Sequence, residues 1–379
     1  MFLLVLGIAG IEDGFAQSRD VIFEYQEQPS SITINHVIWI WFENRESTQI
    51  TAATAPFFTN FAAANVNLTN FYGVTHPSQP NYLSTISGSN QGILDNGHYT
   101  LPASNDNLAK QLNAAGKSWR VYAQGYPGNC SDVDIFNGGI DGPGVAGQYV
   151  RKHNPVISFE SVRLDPAQCA NIQPLANFDP TVNFAMVVPN MINGMHDGTT
   201  GQGDAFLAAF MPQVTSSPDW AHTLVVITFD EGNTNTNGGG HIYAAAAAPW
   251  LTANTVPATY NHYSLLRTTE QIFGLPFLGS AATAATMTEL LPSPLATEVS
   301  VTGRVLTSTG RGVRNAMVSI LSSQGIRRTV LTGPFGFYSL PNVVTGQSYT
   351  ISVASRRFTY TSQTVSVNGA LAGVDFIAL

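Results

Sequence analysis

Five short runs rich in Val, Ile, Ala and aromatics constrain this chain more than any other feature: 36–42 (HVIWIWF), 118–123, 184–188, 224–229 and 242–249. A strand with one wet face alternates apolar and polar residues. A strand buried on both faces does not, so continuous runs rich in Val, Ile and aromatics predict a parallel sheet covered on each side. Helix-length segments at 54–64, 106–115 and 202–214 lie between the runs. This alternation predicts an α/β domain with helices flanking a mostly parallel sheet, and in such sheets ligands gather at the carboxyl ends of the strands.

At 379 residues the chain exceeds what one hydrophobic core supports, so a large domain with a smaller appendage is expected, here 30–292 and 298–379. The composition changes near 297. Strand signals VSVTGRVL, AMVSILS, GFYSL, YTISVA and QTVSV then recur at short spacing with Gly, Pro and Asn between them, an all-β pattern, and the two prolines of 291–297 (LPSPLAT) stiffen the joint. Only 11% of residues are charged and the net charge is −8, which lacks the basic footprint of nucleic-acid binding. No later apolar stretch reaches the ~18 residues of a membrane-spanning helix. Residues 1–16 read as a signal peptide, an apolar run followed by Gly14-Phe15-Ala16, with a buried N-terminal strand as the rival reading. Export implies a secreted or periplasmic protein, in which Cys130 and Cys169 favour one disulfide over a zinc site.

The strand ends carry chemistry. The run ending at Phe42 leads into Glu43-Asn44-Arg45, and the run ending at Phe229 leads into Asp230-Glu231-Gly232. Either alone is what a loop start looks like. Together they bring three carboxylates and an amide to one sheet edge, where they repel unless a cation sits among them, and hard oxygen donors suit Mg, Ca, Mn or Zn. The segment THPSQPNY (75–82) opens a helix-like stretch: Pro80 suits the first helical position and Ser78 lies near the N-cap, a place where free N–H groups attract phosphate. Taken by itself, Ser78 is a helix cap; beside a metal its hydroxyl becomes a nucleophile. His196, Asp197 and His241, each in a Gly-rich loop, are candidates to bind phosphate oxygens or protonate a leaving group, and for each a plain surface role is the alternative. His262 falls in a helix-patterned block and reads as core or surface. Neither a nucleophile elbow nor a P-loop is present.

The set WFENR (41–45), THPSQPNYLSTISGS (75–89), PNMINGMHD (189–197), ITFDEG (227–232) and YNHYSLLRTTEQIFGLPFLG (260–279) resembles the bacterial phosphoesterase family of acid phosphatases and phospholipases C, relatives of the alkaline phosphatases. The resemblance implies an alkaline-phosphatase-like fold, Ser78 as nucleophile and metal contact, and Glu43, Asn44, Asp230 and Glu231 as the other metal ligands. It also implies phosphate contacts near Asn81 and, by likeness to nucleotide pyrophosphatases, at Asn96. Asn190 stands where a two-metal site would place an acid, which argues for His196 and His241 as acid or phosphate-stabilising groups. The block VTGRVLTSTGRGVRNAMVSI with GPFGFYSLPNV resembles the carboxypeptidase regulatory-like domain, a transthyretin-like sandwich with no catalytic set, able to contribute stability or contact a surface or partner.

The expectation is therefore a metal-dependent phosphomonoesterase acting on small or lipid-derived phosphates through phosphoserine at Ser78, assisted by His196 or His241. The alternatives are a phospholipase C type diesterase and an inactive secreted binding or adhesion protein.

Overall fold

The computed structural model describes residues 32–140, 146–292, 298–322, 327–345, 347–367 and 369–379. The expected signal peptide at 1–16 lies outside them.

Among the described residues, the larger domain has eleven strands and seven α-helices. The strands are β1 (His36–Phe42), β2 (Val66–Tyr72), β3 (Trp119–Ala123), β4 (Ile135–Ile140), β5 (Ala146–Val150), β6 (Ile172–Pro174), β7 (Phe184–Val188), β8 (Thr223–Phe229), β9 (His241–Ile242), β10 (Ala244–Ala247) and β11 (Asn254–Asn261). The helices are α1 (Pro56–Ala64), α2 (Ser78–Ser87), α3 (Leu108–Ala114), α4 (Glu160–Arg163), α5 (Pro166–Cys169), α6 (Thr200–Thr215) and α7 (His262–Phe273). The main sheet runs in the order β11-β2-β10-β8-β1-β7-β3-β6, with β9 against β2, while β4 and β5 form a separate two-stranded sheet.

The apolar runs fall at the centre of this sheet. Every residue of β1, β7 and β8 is buried, and β1 pairs in parallel with both of the others. Trp39, Trp41, Phe42, Phe58 and Phe229 pack among the core side chains. The run at 242–249, expected as one more strand of the parallel set, is a correction: it splits into β9 and β10, antiparallel to β2 and β8 respectively. A parallel return needs a crossover of a dozen or more residues carrying a helix. The link from β8 is a loop with a single 3-10 turn, and it doubles back on hydrogen bonds from the Gly232 N–H to the Gly239 carbonyl (2.7 Å) and from the Gly239 N–H to the Gly73 carbonyl (3.1 Å).

Two helix boundaries matter for the site. The N-cap of α2 is Pro77, so Ser78 is the first helical residue and Pro80 the third, and the helix starts two residues earlier than the sequence suggested. Proline is tolerated there because the first N–H groups of a helix have no intrahelical partner. The helix ends at Gly88, whose φ of 71° and close approach to the Leu278 carbonyl leave no room for a Cβ. Helix α7 is opened by Asn261, whose side chain accepts from the Tyr263 and Ser264 N–H groups.

The smaller domain has its own core of Val301, Val305, Val318, Ile320, Leu340 and Ile351, among others. Its strands are β12 (Glu298–Leu306), β13 (Met317–Ser322), β14 (Arg327–Leu331), β15 (Phe337–Val344), β16 (Gln347–Ala354), β17 (Gln363–Val367) and β18 (Phe376–Ile377). They form a three-stranded sheet, β15-β12-β18, and a four-stranded sheet, β14-β13-β16-β17, whose inward side chains share that core as a sandwich.

Candidate active site

The register of the central strands builds the site. Phe42 of β1 is paired with Phe229 of β8, so the next residues, Glu43 and Asp230, leave the sheet side by side. The Asp230 N–H still bonds the Phe42 carbonyl (3.0 Å), and the Asn44 N–H returns the contact to Asp230 Oδ1 (3.0 Å), with Asn44 at a left-handed φ of 46°. Asp230 Oδ1 also accepts from the Glu231 N–H at 2.6 Å. Both carboxyl groups are buried and in contact, and burial first, then the charge of Asp230, pushes Glu43 well above the usual carboxylate range.

Helix α2 delivers the hydroxyl. Ser78 is buried, and its Oγ donates to Glu231 Oε1 (3.2 Å) and touches Asp230. Tyr82, one helical turn on, donates its hydroxyl to Glu43 Oε1. One face of one helix thus touches Glu43, Asp230 and Glu231. Glu231 Oε2 lies 2.5 Å from His76 Nδ1, while His76 Nε2 donates to the Thr234 carbonyl (2.9 Å). Burial, then Asp230, pushes Glu231 up to about 7.

A second group of side chains comes from the turn after β5 and the loop after β7. His153 Nε2 sits 3.2 Å from Glu43 Oε2, and burial holds the His153 imidazole well below its usual range and therefore neutral. The Tyr82 ring stacks on His153 at 5.2 Å between centroids, and the His196 ring lies 5.8 Å away. His196 Nε2 is 3.3 Å from Lys152 Nζ, and its Nδ1 pairs with Asp197 Oδ1 (2.7 Å). A cation, two imidazoles and a carboxylate therefore flank the Glu43 side of the cluster.

Of the residues singled out in the sequence, Glu43, Asn44, Ser78, Asp230 and Glu231 are brought together, and His196 with Asp197 lies beside them. Asn81 reaches Glu231 Oε2 (3.4 Å), but its principal bonds are to the 74–77 loop: its Oδ1 accepts from Val74 and Thr75 N–H and its Nδ2 donates to the Thr75 carbonyl. Asn96 Oδ1 accepts from the Gln79 N–H (3.0 Å) in the first turn of α2. His241 is not brought to the cluster: its ring nitrogens are bonded to Ser47 Oγ (2.9 Å) and the Thr69 carbonyl (2.7 Å), and it lines a groove of about 820 Å³ with Ser47, Asn67 and Asn254. His262 is buried against Trp41 and donates from Nε2 to the Asp230 carbonyl (2.6 Å), with burial lowering its pKa to about 4. It thereby fixes the backbone that carries Asp230.

Sequence reasoning gave no role to Tyr82, His76, Lys152 or His153. The signal for Tyr82 was its i+4 spacing from Ser78 on a recognised helix. Cys130 and Cys169 are joined as a disulfide, Cα atoms 5.5 Å apart, and the linked segment includes Lys152 and His153.

Glu43 Oε2, Asn44 Oδ1 and Asp230 Oδ2 are buried oxygens with no hydrogen-bond partner. Three buried oxygens that accept no hydrogen bond, one of them facing His153 Nε2 at 3.2 Å, suit a hard divalent ion, which also offsets the clash of the paired carboxylates. Among the described residues no group of three or more His, Cys, Asp or Glu side chains suffices by itself to hold a metal ion. A site here needs the amide of Asn44 and the hydroxyl of Ser78 as well.

A buried hydroxyl at a helix start, ringed by strand-end carboxylates, is equipment for phosphoester hydrolysis. Residues 39–276 match the model of the phosphoesterase family and residues 300–377 that of the carboxypeptidase regulatory-like domain. The chain belongs to the phosphoesterase family and is a phosphoric ester hydrolase. It is 33% identical over 270 residues to a phosphatidylinositol-3-phosphatase of Mycobacterium tuberculosis, covering 68% of this chain and 83% of that one. It is 28% identical to an acid phosphatase of Aspergillus fumigatus over 69% of this chain, but spans only 59% of that relative's length. Among solved structures, a protein in the alkaline phosphatase superfamily from Vibrio parahaemolyticus aligns with a TM-score of 0.45 and 12% identity, over 88% of this chain and 83% of that one.

Proposed function

We propose that the protein hydrolyses phosphate monoesters through a phosphoseryl intermediate on Ser78. The observation that carries this reading is the position of the Ser78 hydroxyl, first in α2 and bonded to Glu231 beside Asp230. Ser78 Oγ attacks phosphorus in line; the Oγ–P bond forms as the bond to the leaving oxygen breaks. Glu231 Oε1, which accepts the hydroxyl's hydrogen bond, is placed to take the proton. Lys152 and His196, which lie 3.3 Å apart on the Glu43 side of the cluster, would protonate the leaving oxygen and balance the phosphoryl charge. Water then cleaves the phosphoserine, releasing inorganic phosphate and restoring the hydroxyl. Glu43, Asn44, Ser78, Asp230 and Glu231 would hold a divalent cation, Mg, Ca, Mn or Zn. When bound, it supplies positive charge that favours the alkoxide and the transition state.

The name of the mycobacterial relative supports a phosphorylated small molecule or lipid headgroup as substrate. The disulfide supports a secreted or periplasmic location, and among the described residues no helix is long and apolar enough to cross a membrane. The test is a panel of aryl phosphate, bis-aryl phosphate and phosphatidylcholine, each with and without chelator. Turnover of the monoester alone, abolished by chelator and restored by one divalent ion, is expected. Preference for either diester supports the phospholipase C type reading instead, and no turnover with any metal supports a binding protein.

A further inference from the structure

Charge is divided unevenly along this chain. Residues 298–379 contain seven arginines, no lysine and two acids, Glu298 and Asp375, a net +5 in a chain whose total is −8; the preceding residues therefore carry −13. Strand register shows where in the sandwich that charge lies. Arg304 is paired with Phe337 and Leu306 with Ile377, while Met317 is paired with both Leu331 and Ala354. Thus β12, β14, β16 and β18 finish at the same end at which β13 and β15 begin. That end holds five of the seven arginines: Arg304 near the end of β12, Arg311 and Arg314 in the next loop, and Arg356 and Arg357 after β16. The one acid there, Asp375, accepts from the Arg304 N–H at 2.7 Å. Glu298 starts β12 at the opposite end.

The same end exposes large apolar groups. Phe335 is 72% exposed, Leu331 62% and Phe337 58%, with Phe358 and Ile377 also open to solvent. They form a rim shared with the arginines: Arg304 stacks over the Phe337 ring at 4.6 Å and donates to the Phe335 carbonyl at 3.2 Å. The turn carrying Phe335 is held firmly, because the Val305 N–H bonds the Gly336 carbonyl (2.8 Å) and Gly312 packs on the Phe335 carbonyl. Exposed phenyl and aliphatic groups fixed among arginines satisfy both requirements of the interface of an anionic bilayer: rings enter the headgroup boundary while guanidinium groups stay at phosphate level. A soluble polyanion would use the arginines and leave the rings in water.

We propose that this end of the C-terminal sandwich is a docking surface for an anionic phospholipid bilayer, holding at that surface a catalytic body whose own negative charge would keep it away. The test is sedimentation of the full chain with vesicles of phosphatidylcholine alone and of phosphatidylcholine with one part in three phosphatidylglycerol. Partition at least tenfold higher on the anionic vesicles, weakening as salt rises, is expected. The pair Arg311→Glu with Arg314→Glu should lower it by about 25-fold or more, at roughly fivefold per basic residue. Phe335→Ser with Phe358→Ser should lower it at low salt too, while melting temperature and aryl phosphate turnover stay at wild-type values. Equal partition to both vesicles, variants that bind as wild type, or retention on heparin without vesicle binding each overturn the proposal.

Discussion

Replacing Asp230 by Asn should stabilise the metal-free protein while removing its activity. Asp230 Oδ1 is bonded to two backbone N–H groups, and Oδ2 has no partner. The amide keeps its oxygen on those donors and turns its NH₂ toward Glu43, so two acceptors in conflict become a hydrogen bond. Like charges about 4 Å apart at an effective dielectric of ~20 repel by ~4 kcal/mol. Proton uptake by Glu43, whose pKa burial and Asp230 hold high, already relieves part of this. The net gain is then about 1–3 kcal/mol, or roughly 2–10 °C in melting temperature for a domain of this size. Thermal unfolding in chelator, with and without added divalent ion, reads it directly. Wild type should be stabilised by the ion and the variant should not. A variant that melts at or below wild type in chelator refutes the reasoning, because the two carboxyl groups would then not be in conflict.

Burial pushes Glu270 up to about 8, with Oε1 accepting from the Leu278 N–H and Oε2 left without a partner. Between ~4.3 and about 8 the folded state keeps a proton that the unfolded chain has lost, so this group's stabilisation is full at low pH and falls as pH rises. Urea midpoints at pH 5 and 8.5 should show Glu270→Gln sparing about 1–2 kcal/mol of that loss after allowance for screening. Tyr82→Phe, which removes the hydroxyl from Glu43, should lower kcat about 10–100-fold with the fold intact, as loss of a ligand's supporting hydrogen bond does. His241→Ala should change kcat less than about threefold; a larger drop would place that ring in the reaction after all. Opening the disulfide, which spans 39 residues, with Cys130→Ser and Cys169→Ser should cost about 4 kcal/mol in denaturant unfolding.

The reason so much of the centre could be read from sequence is that the relevant signals are local. The apolar runs 36–42 and 224–229, buried on both faces, identify β1 and β8, and the residue after each such run must stand at the sheet edge, which found Glu43 and Asp230. The direction of β10 was not legible, since AAAA reads the same either way and only the tethered loop before it decides. His241 illustrates the opposite limit: its loop has a mobile composition, yet the ring is secured by Ser47 and Thr69, partners more than 170 residues away in sequence. His153 enters the site through the register of a distant turn, and neither its neighbours nor its spacing announces a meeting with Glu43. The all-β character of the smaller domain was visible from strand spacing and its sandwich from the resemblance, but the gathering of arginines and phenyl rings at one end required the pairing of β12 with β15 and β18.

The central claim is that Ser78 carries the phosphoryl group between the two half-reactions. Acid quenching during steady turnover of an aryl phosphate, followed by proteolysis and mass spectrometry, reads this without any assumption about metal or substrate preference. The account predicts a phosphorylated peptide bearing Ser78, absent from Ser78→Ala, which should be inert yet fold normally. Phosphate trapped on another side chain, or a Ser78→Ala protein that still turns over at the wild-type rate, would contradict it.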